Sequence, residues 1–127
     1  MRTPDKRRRV VMVDDDDDYR LIVREWLAQR YDVVSLPDGE NLIEELFVVQ
    51  PDLVLLDVSM PGPNGFTLCE RIRSEPAFQK LPVLFLTSSV KNADFVANLD
   101  AGGSAYLTKP VEPADLMARI QELLPAA

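Results

Sequence analysis

The feature that most restricts what this chain can fold into is a set of four short, largely apolar runs, each ending at a polar residue. Val10-Val11-Met12-Val13 runs into Asp14-Asp15, Leu53-Val54-Leu55-Leu56 into Asp57, Val83-Leu84-Phe85-Leu86 into Thr87, and Ala105-Tyr106-Leu107-Thr108 into Lys109-Pro110. The central run, Leu53 to Leu56, predicts a strand buried on both faces, as in a parallel sheet, and the other three end the same way at a polar residue. The Pro/Gly-rich stretch Val58 to Gly65 after Asp57 marks a loop, which places that carboxylate at the sheet rim, facing solvent. If the strands are parallel, all these polar groups gather at one edge. In open α/β sheets that carboxyl edge is where sites form.

The intervening sequence supplies helices. Asp17 or Asp18 can cap a helix running to about Arg30, with Ile22, Val23, Trp26 and Leu27 on one apolar face. Tyr31 to Leu36 alternates as a strand, Pro37-Asp38-Gly39 is a turn, and a helix spans about Glu40 to Val49 before Pro51 breaks it. Phe66, Cys69 and Ile72 mark a third helix ending before Pro76. A short helix from Asn92 to Ala101 closes at Gly102-Gly103, a strand covers Ser104 to Leu107, and Glu112-Pro113 opens a last helix with Leu116, Ile120, Leu123 and Leu124 as its stripe. Five strands alternating with five helices predict an α/β fold: one parallel sheet, right-handed crossovers and helices on both faces.

Bulk properties narrow the partners. A chain of 127 residues with 46% hydrophobic content predicts one domain with a substantial core. The single cysteine, Cys69, excludes an internal disulfide and sits at core spacing between Phe66 and Ile72. No run approaches the roughly 18 apolar residues of a membrane span, and Met1 to Arg9 has no signal-peptide core, so the expected setting is the cytoplasm, with no membrane partner. Residues 1 to 9 carry a net +4, so residues 10 to 127 carry −11 of the chain's −7 total. Such an acidic body predicts no direct nucleic-acid binding, and residues 1–8 read as a basic, flexible N-terminal arm.

Five consecutive aspartates, Asp14 to Asp18, could be a solvated acidic loop. Adding Asp57 to the same edge changes that, because crowded carboxylates repel unless a cation lies among them. Mg2+ suits hard oxygen ligands of this kind, and Mn2+ is the expected substitute. A bound divalent ion would also take phosphate oxygens, which points to Asp57 as a carboxylate nucleophile towards phosphorus. Phosphoryl transfer asks mainly for positioning and charge neutralisation. Lys109 can then pair with one phosphoryl oxygen and the Thr87 hydroxyl with another. Taken singly, Lys109 reads as an ion-pair partner and Thr87 as a helix cap. Lys109-Pro110 is also a candidate cis peptide.

These residues resemble the receiver family of response regulators, the phospho-acceptor domains of two-component signalling, over about Arg9 to Leu124, or residues 9–127 as a domain. The motifs are hydrophobic-Asp14-Asp15, Asp57-x-x-Met60-Pro61-x-x-Asn64-Gly65, Thr87 with small Ser88, and Lys109-Pro110. The resemblance implies a flavodoxin-like sheet order 2-1-3-4-5, as in the chemotaxis regulators. It implies that Asp57 accepts a phosphoryl group from a histidine kinase or a histidine phosphotransfer protein, as one step of a phosphorelay. Asp15, Asp57 and the backbone carbonyl of Ser59 would bind Mg2+ directly, with Asp14 acting mostly through water. Thr87 and Tyr106 would form the switch, reshaping a face built from the helix at 92–101, the fifth strand and the last helix. Phe95 and Tyr106 would there meet a downstream effector, or a second copy in a phosphorylation-dependent dimer. The expected role is regulatory and not that of an enzyme, beyond promoting its own phosphorylation and dephosphorylation.

Departures from the family pattern are modest. Val111 stands where Phe is frequent, and Ser59 and Ser89 are small enough to leave hydrolytic water access to the site. With no histidine, the chain can receive a phosphoryl group but not donate one from phosphohistidine. A phosphatase of the haloacid dehalogenase type would need Thr or Val at the position of Asp18 and a further acidic motif after Lys109. A pseudo-receiver scaffold would have lost the acidic pair, Asp57 or Lys109, all of which are present. Nucleotide-binding glycine motifs are absent. With no effector sequence after the last helix, a stand-alone regulator and a piece of a longer chain are both compatible with the sequence.

Overall fold

The computed structural model describes residues 7–88 and 102–124. Five parallel strands form one sheet: β1 (Arg9–Val13), β2 (Asp32–Leu36), β3 (Leu53–Asp57), β4 (Val83–Thr87) and β5 (Ala105–Thr108), in the order β2-β1-β3-β4-β5. The helices among the described residues are α1 (Asp17–Leu27), α2 (Leu42–Val49), α3 (Gly65–Ser74) and α4 (Pro113–Leu123), with a 3-10 turn at Pro76–Phe78. This is the doubly wound, flavodoxin-like order, and it reverses at the β1–β3 boundary. The helix expected over Asn92 to Ala101 lies outside the described residues.

Strand alternation divides the core in two. Val11, Val13, Val54, Leu56, Val83 and Phe85 point to one face, where Leu42 and Leu46 of α2 and Leu68, Cys69 and Ile72 of α3 cover them. Val10, Met12, Leu53, Leu55, Leu84 and Leu86 point to the other, under Val23 and Leu27 of α1 and Leu116 and Ile120 of α4. β1, β3 and β4 are nearly all buried because helices close both faces, which is why they read as continuous apolar runs. Cys69 is fully buried, as its spacing predicts. No helix among the described residues is long and apolar enough to cross a membrane.

Element ends differ from expectation in physically simple ways. The cap of α1 is Asp16, not Asp17 or Asp18: its carboxylate accepts from the N–H groups of Asp18 and Tyr19. Its own N–H donates to Asp14 Oδ1 at 2.9 Å, which tethers the cap to the strand end. Asp17 and Asp18 instead fill the first turn, where the helix dipole favours negative charge. The helix stops at Leu27 rather than Arg30, and Ile22 is exposed because Val23 and Leu27 set the inward face. α2 begins at Leu42 and not Glu40, since Asp38 Oδ1 accepts from Glu40 N–H at 2.9 Å and holds the turn open. β2 starts one residue later than expected, at Asp32, and β5 is shifted by one to end at Thr108.

Arg7 and Arg8 contact the body of the fold. The Arg8 carbonyl accepts from Asp32 N–H at 3.0 Å, and the Arg7 guanidinium lies 3.8 Å from Asp32 Oδ1.

Candidate functional site

Sheet register builds the site. Val13 pairs with Leu56, so Asp14 and Asp57 come next on adjacent parallel strands, at the same level. Both continue the alternation of Met12 and Leu55, so both lie towards α1 and α4. Asp57 pairs with Leu86 and Thr87 with Thr108, which puts Thr87 and Lys109 one step further along the same edge. Asp14, Asp57 and Thr87 are the buried polar and charged residues among those described, while Asp15 is exposed at the rim; Asp57, expected to face solvent, is instead buried, with Lys109 Nζ 3.5 Å away.

The loops fix these groups. Lys109 N–H donates to the Thr87 carbonyl at 2.7 Å and Val58 N–H to the Leu86 carbonyl at 2.9 Å. Ser59 N–H donates to Asp57 Oδ1 at 3.2 Å. The Lys109-Pro110 bond is cis. Asn64 caps α3, its Oδ1 accepting from Thr67 N–H at 3.1 Å. Gly65 follows because there is no room for a side chain: a Cβ there would lie 2.7 Å from the Asp57 carbonyl oxygen and 3.1 Å from Val58 Cα.

Electrostatics are dominated by a shortage of positive charge. Lys109 Nζ donates to Asp14 Oδ2 at 2.8 Å and lies 3.5 Å from Asp57 Oδ1. Oxygen atoms of Asp14, Asp15 and Asp57 all fall within 4.8 Å of one another. Burial, followed by the charge of Asp14, pushes the Asp57 carboxyl up to about 6, against the pull of Lys109 and the Ser59 N–H. Burial acts against the Lys109 ammonium, yet its hydrogen bond to Asp14 and the charges of Asp14 and Asp57 raise its pKa above that of a free lysine. The result is a fixed cation between two buried carboxylates, with excess negative charge open to the rim at Asp15. Such an all-oxygen set, in a chain without histidine and with its cysteine buried elsewhere, suits a hard divalent cation.

The structure therefore brings together Asp14, Asp15, Asp57 and Lys109, with Thr87 beside them. Tyr106 is half-buried on β5, beside Phe85 in register, and packs against the cluster under α2 and α3. Ser59 is exposed at the loop start. Phe95 and Ser89 lie outside the described residues. Two side chains not anticipated from sequence also reach the site. Arg20 donates to the Asp14 carbonyl at 2.7 Å, and the Tyr19 ring lies under Lys109 Nζ, 4.3 Å from its centroid. The available signal was spacing: both residues stand within two helical turns of the acidic pair, in a helix that starts at the site.

Sheet order, helices on both faces and an acidic carboxyl edge with one lysine define a flavodoxin-like domain with a hard-oxygen site. The model of the response regulator receiver domain matches residues 10–121, and the chain belongs to that family, as a receiver domain of two-component signalling. The response regulator PleD of Caulobacter vibrioides is 35% identical over 104 residues, 82% of this chain and 23% of that protein. The transcriptional regulatory protein CseB of Streptomyces coelicolor is 40% identical over 94 residues, covering 74% of this chain and 39% of that one. The chain thus spans well under half the length of these two relatives. Among solved structures, the chemotaxis protein CheY4 of Vibrio cholerae is similar with a TM-score of 0.85 and 25% identity, covering 93% of this chain and 99% of that one.

Proposed function

We propose that this domain is a phospho-acceptor switch in which Asp57 takes a phosphoryl group from a phosphohistidine on a histidine kinase or histidine phosphotransfer protein. The observation that carries this reading is the pairing of one ammonium, Lys109, with two buried carboxylates at 2.8 and 3.5 Å. An Asp57 oxygen attacks phosphorus, the P–N bond to imidazole breaks, and the donor leaves as neutral histidine after taking up a proton. Lys109 is close enough to exchange part of its interaction with Asp57 for the incoming phosphoryl oxygens. Thr87, level with the rim, donates its hydroxyl to another. Asp15, Asp57 and the Ser59 carbonyl would hold Mg2+ directly and Asp14 mostly through water, with Mn2+ as a substitute. When bound, the ion neutralises the crowded carboxylates and the charge spread over the transferring group.

Thr87 and Tyr106 then act as the switch. Drawing the Thr87 hydroxyl towards the phosphoryl group frees space near β5, into which the half-buried Tyr106 turns. The altered surface at Tyr106 is read by a downstream effector in the cytoplasm. The basic start of the chain, of which Arg7 and Arg8 are held against Asp32, plays no part in the transfer, and the acidic body has no direct nucleic-acid target.

Acetyl phosphate and Mg2+ test this. The wild-type chain should gain one labile phosphoryl group by intact mass and Asp57→Asn none, while beryllofluoride shifts amide resonances around Thr87, Phe95 and Tyr106. No gain and no shifts at saturating Mg2+ would instead indicate a scaffold without phosphorylation.

A further inference from the structure

The Tyr19 hydroxyl is buried and has no hydrogen-bond partner among the described residues. Buried phenols ordinarily find one. The same side chain turns its ring face to Lys109 Nζ, 4.3 Å from the ring centroid. Tyr19 lies early in α1, whose start is fixed by the Asp14-to-Asp16 tether, so the ring is placed by the strand that carries the acidic pair. A lysine ammonium sits on a flexible four-carbon stem. With Asp14 Oδ2 at 2.8 Å and Asp57 Oδ1 at 3.5 Å, Asp14 is its stronger partner.

We propose that Tyr19 is a positioning residue: its ring face holds the Lys109 ammonium between Asp14 and Asp57, where it can meet the phosphoryl group. This rests on the reading that Asp57 is the phospho-acceptor. A ring quadrupole suits the task better than a third carboxylate would. It attracts the cation without occupying one of its N–H donors and without adding negative charge beside a phosphoryl group. Burial pushes the Tyr19 phenol up, against the pull of Lys109, so the ring stays neutral while it does so. The hydroxyl is then incidental, and its lack of a partner is the cost of presenting the face. The alternative role is plain packing, since Tyr19 also touches the cluster beneath α1 and α4.

The test compares Tyr19→Phe and Tyr19→Leu with wild type in the full chain, using acetyl phosphate and Mg2+ at saturating and limiting donor. Tyr19→Phe, which keeps the face, should phosphorylate within about twofold of wild type, and Tyr19→Leu about tenfold more slowly at saturating donor. In the metal-free protein the Lys109 Hε resonances should be ring-shifted upfield in wild type and Tyr19→Phe, and should return to the free-lysine position in Tyr19→Leu. Equal rates for Tyr19→Leu and wild type would overturn the proposal. So would a Tyr19→Phe rate as low as that of Tyr19→Leu, which would assign the effect to the hydroxyl. If Tyr19→Leu does not fold, the Lys109 shift in wild type and Tyr19→Phe decides alone: unshifted resonances contradict the contact. Failure of the wild-type chain to take any phosphoryl group would remove the phospho-acceptor reading, and the resonances would still report whether the ring holds Lys109.

Discussion

Lys109 Nζ donates to Asp14 Oδ2 at 2.8 Å while lying 3.5 Å from Asp57 Oδ1, so one cation answers two carboxylates that the sheet places side by side. Replacing it removes the cation they share and leaves each carboxylate with a backbone N–H donor, from Asp16 and from Ser59. Lys109→Met is expected to lower stability at pH 7 by about 3 kcal/mol, the low end for breaking a buried pair because the Lys109 side chain is still 17% exposed. Urea unfolding without divalent ions reads this, and the loss should shrink as acid protonates Asp57, whose carboxyl burial pushes up to about 6.

Asp57→Asn should do the reverse. The folded carboxyl titrates at about 6, raised from 3.8 by burial and by Asp14, so the folded state binds this proton more tightly than the unfolded chain. Stability from this group is therefore greatest at low pH, falls as pH rises from about 4 to about 6, and stays reduced above that. The amide resembles the protonated acid and escapes the penalty. In EDTA at pH 7.5 the variant should be more stable by about 2 kcal/mol, and the difference should fade towards pH 4. Denaturation midpoints across that range check the sign.

Much of this site is legible in the sequence. Strands buried on both faces leave near-continuous apolar runs, and their last residues mark the edge, so Asp14, Asp57 and Thr87 stand out together; Lys109 follows the half-buried edge strand β5 and stands out through its place after that run, before Pro110. Asp16 does not, because five identical neighbours offer no local reason to choose one cap, and the tether to Asp14 that decides it is a matter of three-dimensional geometry. Tyr19 was overlooked for a related reason: an aromatic early in an amphipathic helix reads as core, and only the approach of β5 from a distant part of the chain gives it a cation. Ile22 was misplaced because a stripe at helical spacing is wider than the face that the sheet accepts.

Divalent ions should stabilise the native state. At a Mg2+ concentration about 100 times its dissociation constant, the gain should approach 2.7 kcal/mol, and EDTA should reverse it. Asp15→Asn should weaken the effect strongly while changing metal-free stability little, since Asp15 is exposed. Titration followed by thermal unfolding measures both.

Gly65→Ala should perturb the site from behind. The added Cβ would meet the Asp57 carbonyl oxygen at 2.7 Å, so the strand end or the start of α3 must move. A loss of about 2 kcal/mol is expected, in the range of overpacked cores, together with slower phosphorylation because Asp57 shifts. Comparing unfolding with the phosphorylation rate separates this backbone effect from Asn64→Ala, where loss of the α3 cap should cost about 1 kcal/mol.

Whether Asp57 carries the acyl phosphate is read most directly by borohydride trapping. Reduction of an aspartyl phosphate leaves homoserine, which peptide mass spectrometry can place in the chain. After acetyl phosphate, Mg2+ and borohydride, homoserine at position 57 and nowhere in Asp14 to Asp18 is the predicted result. Homoserine within the Asp14 to Asp18 run with Asp57 intact, or none at all at saturating donor and Mg2+, would contradict it.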